Sequence, residues 1–161
     1  MYTWQPSTLC WSFSRSREFE RCRRAYFYGR FWGQDPNTSY EIFKLKILTT
    51  IPAMRGDVVH SVIADALRAA RRGESIGLDA AKENVTRIMR ERFVESAKRM
   101  WERPNRPPGR RMSSVTSLAE HYYGDTGARE KVREARQVAW NCLENLMGSG
   151  YWRELISSDP S

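Results

Sequence analysis

The sequence predicts a mainly α protein of about five or six helices, and three observations carry that prediction. Apolar residues recur at spacings of three and four over several long stretches, those stretches are bounded by Gly, Pro and Ser or Asp, and no alternation of strand and helix runs through the chain. With 161 residues, 40% of them apolar, the chain can bury one compact core, so a single domain over 1–161 is expected. Six Trp, seven Tyr and six Phe argue against disorder.

Charge narrows the partner. Lys and Arg number 27 against 19 acids, a formal charge of +8, which suits nucleic acid first and an acidic membrane surface second. Cys10, Cys22 and Cys142 are widely spaced and form no CxxC, the usage of reduced thiols in a cytoplasmic protein rather than a disulfide frame. The start lacks the pattern of a signal peptide, and no run of about 18 apolar residues could span a bilayer. A cytoplasmic protein with no membrane partner is expected.

Residues 1 to 11 read as an extended lead-in, with a short strand around Leu9 to Phe13. Ser12 or Ser14 can cap a helix from Arg15 to about Phe31, in which Phe19, Cys22, Ala25 and Tyr26 face the core. The other face carries Arg15, Arg17, Arg21, Arg23, Arg24 and Arg30 beside Tyr26, Phe27, Tyr28 and Trp32. Guanidinium forks next to stacking rings suit a nucleic acid, single-stranded or at duplex ends, and equally an ordinary solvated basic face. As nucleic-acid contacts, Arg15, Arg17, Arg21, Arg24 and Tyr26 are the candidates.

Gly33 to Ser39 is turn-forming, and Tyr40 to Leu48 reads as helix. Pro52 then resets the chain before a helix that runs to about Arg72 and stops at Gly73. Val59, Ile63, Ala66, Leu67 and Ala70 make its apolar stripe, with His60 at the border and Gly56 one turn earlier leaving room beside it. A histidine so placed is either a half-buried packing residue or a metal or phosphate ligand.

The next helix opens after Asp79 and runs to about Trp101 before Pro104, burying Val85, Ile88, Met89, Phe93, Ala97 and Met100. A basic Pro-rich loop, 103–113, follows as either a linker or a phosphate clamp. Helices are then expected over Ser114 to Tyr123 and Ala128 to Met147, the latter with Val132, Ala135, Val138, Ala139, Cys142, Leu143, Leu146 and Met147 in one wide stripe. Tyr151 to Ile156 is a last short piece.

Two parts of the chain together resemble a known family. Trp11-Ser12-Phe13-Ser14-Arg15 through Phe19, Cys22 and Tyr26-Phe27-Tyr28, followed after a gap by Gly56-Asp57-Val58-Val59-His60 (GxxxH), look like the opening of a RecB-like nuclease of the PD-(D/E)XK superfamily, of the AddB or CRISPR-associated exonuclease type. His121-Tyr122-Tyr123-Gly124 and the long helix after it resemble the helical insert that precedes the catalytic sheet there. The resemblance implies a Mg²⁺- or Mn²⁺-dependent phosphodiester hydrolase of DNA repair, recombination or phage or CRISPR-type processing, with His60 as a metal-site residue and Gly56 shaping its surroundings.

The sequence departs from that family where the chemistry lies. No Asp, Glu or Gln precedes a Lys by two positions, so the (D/E)xK motif is absent, and so is the later QxxxY helix. The expectation is therefore the N-terminal helical portion of a PD-(D/E)XK fold with its catalytic α/β sheet missing, inactive alone, which a C-terminal nuclease core or a helicase-type partner would complete. Cys22 sits where relatives place the first ligand of an iron–sulfur cluster. Arg23 stands where many have Pro, and Cys10 and Cys142 do not supply the other three ligands, so Cys22 is expected as a small buried core residue and a cluster is not expected.

Overall fold

The structure, a computed structural model, describes residues 12–31, 36–105, 107–109, 111 and 114–157. Trp32, Gly33 to Asp35 and, within the basic loop, Arg106, Arg110, Met112 and Ser113 lie outside it, as does all but the end of the strand expected at Leu9 to Phe13. The chain divides into two compact units, Met1–Ile47 and Leu48–Ser161. Eight α-helices stand among the described residues, more than the five or six expected, because one expected helix is two and the last short piece is a helix of its own.

In the first unit, Ser12 opens α1 (Phe13–Arg21), its Oγ accepting from the Arg15 N–H at 3.3 Å. The helix expected to continue to Phe31 breaks at Cys22, whose backbone is extended at φ −162°, ψ 101°. The Cys22 N–H closes α1 on the Glu18 carbonyl at 3.1 Å. Its Sγ accepts from the Ala25 N–H at 3.4 Å and so opens α2 (Arg23–Phe31). A break resets the helical phase, which corrects the expected core face: Tyr26 is buried and meets Phe19 edge-on at 5.4 Å, while Cys22 and Ala25 are exposed. Cys22 is thus a capping residue, not a core residue. The expected turn is also shorter, because Pro36 starts α3 (Pro36–Lys46) with the fixed φ that suits a first helical position.

The second unit begins with β1 (Leu48–Thr49) and α4 (Ile51–Arg71). Thr50 caps α4 by accepting from the Ala53 N–H at 3.3 Å, and the Ile51 N–H goes to Glu120 Oε1 at 2.9 Å. At the far end Gly73, with φ +76°, takes the left-handed turn, and Gly73 and Glu74 donate back to the carbonyls of Ala70 and Ala69 at 2.9 and 3.0 Å. α5 (Leu78–Ala97) starts after Gly77, with Asp79 in its first turn rather than at the cap. It ends earlier than expected because Arg99, at φ +51°, reverses the chain and tucks Trp101 into the interior at 1% exposure.

After a 3-10 turn at Arg103–Asn105 come β2 (Ser117–Leu118), α6 (Ala119–Tyr122), α7 (Ala128–Met147) and α8 (Gly150–Ser157). The helix expected from Ser114 starts only at Ala119. Ser117 and Leu118 instead pair in parallel with β1, Leu48 opposite Ser117 and Thr49 opposite Leu118. The core lies among α4, α5 and α7, where Val58, Val62, Val85, Met89, Ala135, Ala139 and Leu143 are buried together. No described helix is long and apolar enough to cross a membrane.

Candidate nucleic-acid interface

Within the first unit, α1 and α2 carry arginines held against aromatic rings, one such pair reaching across the break at Cys22. The guanidinium of Arg17 lies 4.8 Å from the centre of the Phe13 ring, that of Arg23 lies 5.3 Å from Phe19, and that of Arg24 lies 5.7 Å from Tyr28. Each i, i+4 pair holds a cation over an aromatic face, which cuts the entropy a flexible arginine loses when it meets a phosphate. Phe13 and Phe27 remain 75% and 51% exposed. Arg17, Arg21, Arg23 and Arg24 are exposed and Arg15 is half-buried. Of the expected contacts, Tyr26 is buried, so its ring packs the unit, while Phe27 is exposed.

The other expected residues, Gly56 and His60, belong to the second unit. The buried face of α4 is Ile51, Met54, Val58, Val59, Val62, Ala66 and Ala69, rotated from the expected stripe. His60, roughly half a turn around the axis from Ala69, is exposed instead of standing at the border. A Cβ at Gly56 would meet nothing within 4 Å, so the helix surface one turn before His60 is open. Asp57, the nearest acid in sequence, is engaged by Arg92.

A hard divalent cation needs several oxygen donors at once. Among the described residues no three His, Cys, Asp or Glu side chains converge to hold a metal, so this donor set does not fit Mg²⁺ or Mn²⁺, and His60 alone would not retain either. Cys22, exposed, has no second cysteine in its unit among the described residues. No known family, curated protein or solved structure matches this chain.

Two features of the second unit escape a reading of the sequence. One is a polar relay: Ser96, fully buried, accepts from the Leu118 N–H at 2.8 Å and meets His121 Nδ1 at 2.9 Å. Burial pushes the His121 imidazole below its ordinary pKa, partly offset by the neighbouring Glu120 carboxylate. The other is a basic cluster of Arg90, Arg133 and Arg136 that α5 and α7 bring to one cavity. Arg133 and Arg136 stand on the border of the α7 stripe, a spacing visible in the sequence, but only the packing of α7 on α5 adds Arg90.

Proposed function

We propose that this is a cytoplasmic DNA-binding protein of the DNA-processing kind that the RecB-like resemblance implies, one that binds DNA and by itself does not cleave it. The observation that carries the reading is the α1–α2 surface, where exposed Arg17, Arg21, Arg23 and Arg24 accompany exposed Phe13 and Phe27. Guanidinium groups neutralise phosphates while exposed rings accept stacked bases, a combination that favours single strands and frayed ends. Cleavage, in this reading, belongs to a nuclease core with its own carboxylates, Lys and Mg²⁺ or Mn²⁺.

A second reading, a self-contained non-catalytic helical module, is favoured by the covering of α7. Ala128, Ala135, Ala139 and Leu143 are buried against the rest of the second unit, and of the expected stripe only Val138 and Cys142 are exposed. A helix left waiting for a missing sheet would keep a wider apolar surface open.

The experiment is a Mn²⁺-dependent nuclease assay on labelled single- and double-stranded DNA, with binding followed across salt, on the chain and on His60→Ala. Salt-sensitive binding without cleavage is expected. Cleavage that disappears in His60→Ala would overturn the non-cleaving reading, and no binding at low salt would overturn the DNA reading altogether.

A further inference from the structure

Between α5 and α7 lies a cavity of about 370 Å³ with an apolar floor of Met89, Phe93 and Val132 and a rim of Arg90, Arg133 and Arg136. No carboxylate lines it among the described residues. Arg133 is held by Glu130 at 3.0 Å, and the Arg136 guanidinium is stacked 5.1 Å over the Trp140 ring. Arg90 is exposed and has no charged partner among the described residues. The floor is braced from behind, because Phe93 meets the His121 ring edge-on at 4.6 Å and His121 is tied to buried Ser96.

A neighbouring hollow on α5 makes the contrast. It is larger, about 830 Å³, but Glu83, Glu91 and Glu95 line it beside Arg87 and Arg90, and Arg87 is already paired with Glu91. Mixed charge there gives no preference for an anion. Of these two cavities, the α5–α7 one joins apolar side chains to arginines without a carboxylate among its described lining residues.

We propose that this cavity is a nucleotide site, with a base lying on the half-buried Phe93 and Val132 over the buried Met89, and its phosphate paired by Arg90 and Arg136. The volume falls within the ~300–1,000 Å³ of small-ligand sites, and the planar guanidinium fork suits two phosphate oxygens at once. The choice of a nucleotide over another flat anion rests on the DNA reading; the cavity and its charge do not. The same chemistry is met by a free mononucleotide and by one unit of a strand.

Titration calorimetry of the full chain with deoxyadenosine monophosphate, inorganic phosphate and a short single-stranded oligodeoxynucleotide tests this. Saturable binding of the mononucleotide is expected, weakened about tenfold by Arg90→Ala and partly by Arg90→Lys, which keeps the charge and loses the fork. Arg129→Ala, which removes the same charge from an exposed position that does not line the cavity, should leave it unchanged. Inorganic phosphate binding as tightly as the mononucleotide would overturn the role of the apolar floor, and equal loss in Arg90→Ala and Arg129→Ala would reduce the effect to net charge and overturn the site. Oligonucleotide binding that ignores Arg90 while no mononucleotide binds would sink this site and leave the DNA reading intact. Mononucleotide binding that needs Arg90, with no oligonucleotide binding, would uphold the site for a free nucleotide and sink the DNA reading.

Discussion

His121 and Ser96 share a hydrogen bond of 2.9 Å between Nδ1 and Oγ at a place where Ser96 has no exposed surface. Because Ser96 Oγ already accepts from the Leu118 N–H, the arrangement that uses the hydroxyl fully has Ser96 donating to Nδ1, which puts the imidazole proton on Nε2. The pair therefore ties α5 to β2 and α6. Ser96→Ala should cost about 1–3 kcal/mol, because it leaves the buried Leu118 N–H without its acceptor. Urea unfolding measures the loss, and an unchanged midpoint would show that the relay carries no stability.

Acid should weaken the same place. Burial holds the His121 pKa in the fold below its ordinary value, so between the folded pKa and about 6.5 the unfolded chain binds the proton more readily than the native one. His121 then contributes no pH dependence well above 6.5, and stability falls as pH drops below that value, until the native imidazole also protonates. A protonated Nδ1 would donate to Ser96 Oγ and leave the buried hydroxyl proton without an acceptor. The urea midpoint should decline between pH 7.5 and 5.5 in the native sequence, and that decline should shrink in His121→Asn, whose Oδ1 can still accept from Ser96 but does not titrate.

Covering of α7 makes a further contrast measurable. Leu143 is fully buried in the cluster with α4 and α5, while Val138, from the same expected stripe, is 41% exposed. Leu143→Ala should destabilise by ~2–5 kcal/mol, and Val138→Ala by less than about 0.5 kcal/mol. Comparable losses at both positions would mean that something packs on the outer flank of α7, which would count against the self-contained module.

Legibility in the sequence followed how local each signal was. α7 was readable because one stripe and a closing Gly148 agree over its whole length, and the end of α4 was readable because Gly73 supplies the left-handed turn. The face of α4 was harder. Val58, Val59, Val62, Ile63, Ala66, Leu67, Ala69 and Ala70 cover so wide an arc that two adjacent stripes fit, and only packing on α5 and α7 selects the one centred on Val58, Val62 and Ala69. That choice decides whether His60 borders the core or faces solvent.

The break at Cys22 carries no Gly or Pro to announce it, since a sulfur acceptor does the capping. β1 and β2, two residues each, exist only through their pairing across α4 and α5. Of the candidate site, the arginine and aromatic spacing of α1 and α2 was legible, whereas the α5–α7 cavity joins residues far apart in the chain and had no local signature.

Under the proposed DNA binding, the α1–α2 surface would separate two kinds of contribution. Arg17, held over Phe13 at 4.8 Å, is placed to meet a phosphate, so Arg17→Ala should weaken binding to all sequences alike and lower the slope of log affinity against log salt by about one. Phe27, exposed and edge-on to Tyr28 at 5.6 Å, is placed to stack a base, so Phe27→Ala should cost ~1–3 kcal/mol on single strands and leave the salt slope unchanged. Fluorescence anisotropy across a salt series reads both quantities. If Phe27→Ala flattened the slope, or if Arg17→Ala left slope and affinity untouched, the basic face would be a solvated surface and the partner of this charge would have to be sought elsewhere.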